Sequence, residues 1–85
     1  MPDLDAETRH LARAESAIAA GERRIAEQVD RIAHLRRCDL SVTAAEQLLD
    51  TLRQTLSGWQ ETREEIRRTI ARIEEAARPG PARRA

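Results

Sequence analysis

The sequence predicts an all-α fold, an antiparallel two-helix hairpin of coiled-coil type that dimerises to a four-helix bundle. Three observations carry this. Leu4, Leu11, Ile18, Ile25 and Ile32 recur at an unbroken interval of seven. After one break near residues 38–43, Ala45, Leu52, Trp59, Ile66 and Ile73 repeat the interval, flanked by Leu49, Leu56, Ile70 and Ala77. Charged residues make up 35% of the chain at zero net charge, the composition of a long amphipathic helix rather than of a strongly charged disordered segment. Apolar side chains seven apart stay on one helix face. Two such helices joined by a short break fold back on each other.

Helix one is expected over about residues 3–37. Asp3 can accept a hydrogen bond as its N-cap, and Asp5 and Glu7 suit the positive end of the helix dipole. Arg36 and Arg37 suit the negative end. Residues 38–42 form the turn, in which Asp39 tolerates a left-handed backbone better than most residues. Helix two is expected over about 43–78, with Ser41 as N-cap or, competing with it, a capping box of Thr43 and Glu46. Pro79-Gly80-Pro81 ends it, and residues 79–85 read as a flexible basic tail. Asp5–Arg9, Glu27–Arg31, Glu64–Arg68 and Glu74–Arg78 are spaced four apart with the acid first, the favourable order on a helix.

With a turn centred near residue 40, residue i should face roughly residue 80 − i. The small residues between Ala12 and Gly21 then meet the stretch holding Gly58, Trp59 and Arg63, so the two glycines make room for the indole. Arg63 interrupts the stripe of Leu49, Leu56, Ile70 and Ala77. Its ordinary reading is a stem laid on apolar surface with its head in water. The sharper one is an ion pair across the bundle with Glu15 or Glu22.

The stripe on helix two reads as wider than one partner helix can cover, which is the case for association. The expected interface residues are Leu11, Ile18, Ile25, Ile32, Leu52, Leu56, Trp59, Arg63, Ile66, Ile70 and Ile73. The partner is a second copy or, alternatively, a helix of another protein taken up in a groove around Trp59.

Chemistry is expected to be absent: no enzyme, no cofactor and no metal. His10 and His34 lie 24 residues apart on one helix, about 36 Å by helical rise, too far to share an ion. Histidine phosphotransfer ranks low because neither histidine shows the acidic neighbour it would want. Cys38 follows two arginines, but at a helix C-terminus whose dipole opposes thiolate formation. A single cysteine cannot form an internal disulfide, which fits a cytoplasmic location. All fifteen basic residues are arginine, yet fifteen acids are interleaved with them, so no basic stripe for nucleic acid is present. No apolar run is long enough for a membrane span, and the acidic N-terminus lacks the apolar core of a secretory signal.

The stretches Arg9-His10-Leu11-Ala12, Glu22-Arg23-Arg24-Ile25-Ala26-Glu27-Gln28, Ile32 to Leu35, Ala45-Glu46 with Leu48-Leu49, and Thr55-Leu56 through Arg63 resemble a group of small, uncharacterised proteins of rhizobia and related alphaproteobacteria. The likeness covers roughly residues 8–67. It implies a helical hairpin without an assigned activity. In that group the turn resembles Gly-x-Asp-Thr, where this chain has Asp39, Ser41 and Val42.

Overall fold

A computed structural model describes residues 3–80 and consists there of two helices, α1 over Leu4–Arg37 and α2 over Thr43–Ala77. They fold back as a hairpin. At 34 and 35 residues each helix is about 50 Å long. The radius of gyration, 20.4 Å, far exceeds the roughly 12 Å of a compact domain of this length, so the molecule is a rod. The tail expected beyond Gly80 lies outside the described residues.

Each end of α1 has a local cause. The Asp3 carboxylate accepts from the Ala6 N–H at 2.8 Å, capping the first turn. At the other end the Leu40 N–H donates to the Leu35 carbonyl at 2.9 Å, and the Asp39 N–H to that of Arg36 at 3.1 Å. These two bonds are the Schellman closure, which needs a left-handed residue just past the cap. Asp39 supplies it at φ 57°, where glycine is the usual occupant.

The start of α2 departs from expectation. Val42 is the N-cap and offers no side-chain bond. The Ser41 hydroxyl instead accepts from the Thr43 N–H at a long 3.5 Å. Glu46 is drawn away from any capping box by Arg36, which donates to it across the turn at 2.8 Å. At the far end Arg78 is extended (ψ 132°), as a residue before proline must be, and this stops the helix at Ala77.

Burial follows the heptads closely. From Glu7 to Leu35 on α1, and from Val42 to Ile73 on α2, every position at alternating steps of three and four is buried or half-buried. On α1 these are the Leu11–Ile18–Ile25–Ile32 ladder and the interleaved Ala14, Gly21 and Gln28. On α2 they are Ala45, Leu52, Trp59 and Ile66, interleaved with Leu49, Leu56, Arg63 and Ile70. The arrangement is a two-stranded antiparallel coiled coil.

The register differs from the one expected. A Cβ at Gly21 would meet Leu56 Cδ1 at 3.4 Å, so facing residues sum to 77 rather than 80. Ile18 then faces Trp59, Ile25 faces Leu52 and Ala14 faces Arg63. Gly21 makes room for Leu56, not for the indole, and Gly58 has nothing within 4 Å of its would-be Cβ. The single seam draws in the α2 stripe but leaves most of it half-buried, Leu49 being its one buried residue. Of its large apolar residues only Leu48, 49% exposed, lies outside.

Candidate functional site

The residues expected at an interface all lie in the seam between the chain's own two helices. Ile18 and Ile32 are 5% exposed, whereas Leu11, Ile25, Leu52, Leu56, Trp59, Arg63, Ile66, Ile70 and Ile73 are half-buried. Layers alternate along the rod. One kind pairs two large side chains, as Ile18 with Trp59. The other pairs a small or polar residue of α1 (Ala14, Gly21, Gln28) with Arg63, Leu56 or Leu49.

Because the seam is one helix thick on each side, it leaves two long faces, and they are built differently. One face is bridged by charge. Arg67 reaches Glu15 on α1 at 3.4 Å and Glu64 on its own helix at 3.1 Å, and Arg36 bonds Glu46 at 2.8 Å. Arg63 joins this side, its Nε 3.6 Å from the Glu64 carboxylate. Below Arg36 and Glu46 a shallow groove runs between Val29, Ile32, Leu49 and Arg53. This is the paired face.

The other face carries Trp59. Two open grooves meet at the indole, one lined by Ser16, Ala17, Ala20, Arg24 and Thr55, the other by His10, Thr62 and Ile66, with Arg13 in both. Its α2 edge bears Leu48, Thr55, Thr62 and Thr69 at seven-residue spacing and no charge. Among the described residues no ion pair crosses between the helices here. The cross-helix polar contact closest to this side is the buried Gln28, whose amide donates to the Ala45 carbonyl at 2.9 Å. This is the open face.

Arg63 does not pair with Glu15 or Glu22. Arg67 occupies Glu15, and the Arg63 Nε is buried without a hydrogen-bond partner. Its side chain is 28% exposed, so the guanidinium lies along the seam and turns toward Glu64. Among the described residues the ion pairs expected at four-residue spacing do not form. Glu64 takes Arg67 and Glu75 takes Arg78, both three apart.

Both histidines and Cys38 are exposed. His10 does have an acidic neighbour, contrary to expectation, for its Nδ1 lies 3.2 Å from the Glu7 carboxylate. The three-residue spacing that creates this pair is visible in the sequence. His34 Nε2 lies 3.8 Å from the Cys38 sulfur. Among the described residues no three His, Cys, Asp or Glu side chains converge on a common point that could hold a metal ion, and no helix is long and apolar enough to cross a membrane. Comparison with protein-family models, with curated proteins and with solved structures gives no match.

Proposed function

We propose that this chain is a non-enzymatic helical assembly module that self-associates, two hairpins sharing their apolar seams as a four-helix bundle. One observation carries the reading. The isolated hairpin exposes 6786 Å², about a third more than the roughly 5,100 Å² expected of a compact 9.6 kDa protein. Among the described residues no large side chain is fully sealed from solvent. Half-buried Leu, Ile and Trp residues of the kind found along this seam gain further stabilisation when a second apolar layer covers them. A two-fold pairing supplies that layer with the chain's own surface and closes on itself.

Light scattering across a dilution series tests this directly. The expected result is a mass of two chains at micromolar concentration, with Trp59 emission moving to shorter wavelength as the dimer forms. A helical monomer throughout that range would sink the proposal, and a water-exposed indole in such a monomer would favour a helix of another protein as the occupant.

A further inference from the structure

Resting on that self-association, we infer that the second copy packs against the open face, with the two-fold axis running along the rod. The paired face is already closed by Glu15–Arg67 and Arg36–Glu46, and covering it would desolvate these exposed ions for no new partner. The open face has no such bridge. Its α2 edge from Leu48 to Thr62 is uncharged, and Ala17 and Ala20 on α1 keep the groove shallow enough for a helix to approach.

Area favours a second copy of this chain. A face about 50 Å long and 21 Å across presents roughly 1,000 Å², above the roughly 800 Å² per partner of a standard specific interface. Charge points the same way and selects the axis. Rotation about an axis parallel to the rod lays α1 of one copy over α2 of the other at unchanged height. In the observed register residue 13 is level with residue 64, so Arg13 at the open groove comes level with the exposed Glu65 of the second copy, twice by symmetry. Both charge pairs then lie at one height, and the groove of indole, alanines and Thr55 continues along the rod from them.

The test compares self-association constants of single variants by sedimentation or light scattering, with helicity followed by circular dichroism. Thr55 and Ser57 are both exposed and point to different sides of α2, and arginine is the better helix former at either. Thr55→Arg should weaken the dimer at least tenfold, while Ser57→Arg should leave it within about twofold. Arg13→Glu should weaken it, and the Arg13→Glu, Glu65→Arg double variant should restore it. A wild-type dimer that Ser57→Arg disrupts as much as Thr55→Arg does, or that neither disrupts, overturns the assignment of the face and leaves self-association standing. A double variant that fails to recover overturns the axis. A monomeric wild type overturns the self-association reading itself.

Discussion

The two long faces of this hairpin are made from the same two helices, yet one is finished and the other is not. On the paired face, charges at matched heights span the groove. Those pairs are exposed and individually weak, but like charges cannot be brought into their register without repulsion, so they select one alignment of the helices. In the seam beneath the open face α1 contributes Ala14, Gly21 and Gln28 where the coiled-coil pattern would take large apolar residues. Trp59 therefore packs against Ile18 on one side and borders open groove on the other. One edge of a coiled coil can thus fix alignment while the other keeps apolar surface in reserve.

The largest expected effect separates the seam from the faces. Ile18 is nearly sealed, and Ile18→Ala should cost about 3 kcal/mol in urea denaturation at any protein concentration. Leu48, half exposed beside the open groove, should cost well under half of that as Leu48→Ala in dilute solution. A Leu48→Ala penalty that grows with concentration would tie the open face to association. Equal penalties for the two variants would mean that the seam is not the main source of stability.

Much of this fold is legible in the sequence, and what is not has identifiable causes. The two ladders give the helices, and the residue types at their ends give the Asp3 cap and the left-handed Asp39. The register was legible too, but through phase rather than through the turn's midpoint. Layers form only when the seven-residue ladder of α1 meets that of α2, and this requires facing numbers to sum to a multiple of seven. The allowed sums on either side of 80 are 77 and 84, and the contact of Gly21 with Leu56 selects 77. The paired face was less accessible. Glu15 has Arg63 and Arg67 within reach on α2, and only the correct register decides for Arg67. The α2 cap failed because Thr43 is already helical, leaving Val42 at the boundary.

Gly58 gives the next largest effect and probes the open face without charge. It is helical and exposed, and a methyl group there meets nothing. Gly58→Ala should stabilise the hairpin by about 1 kcal/mol through helix propensity alone, raising Tm by roughly 4–8 °C. If helices of a second copy approach this edge closely, the same variant weakens association while it strengthens the fold. A Tm that stays put in dilute solution would mean that α2 is not continuous through residue 58.

At the turn that joins both faces, Asp39→Gly should gain about 0.5–1 kcal/mol. Glycine adopts φ 57° without the steric penalty an L side chain meets there. It also removes a carboxylate from the negative end of the α1 dipole. The gain should appear as a higher urea midpoint with an unchanged slope. A loss would mean that the aspartate side chain contributes more to the turn than its backbone costs.

The smallest effect belongs to the paired face, and its form matters more than its size. Glu15 and Arg67 are each about half exposed at 3.4 Å, so Glu15→Gln should cost only about 0.2–1 kcal/mol. Because the attraction is between solvated ions, that penalty should shrink toward zero as salt is raised to about 1 M, where screening acts within roughly 3 Å. Arg67→Gln should cost somewhat more, since Arg67 also holds Glu64. A double-mutant cycle isolates the cross-helix term. A coupling that persists at high salt would mean that this edge is desolvated in solution, and the second chain would then belong on the paired face rather than on the one that carries Trp59.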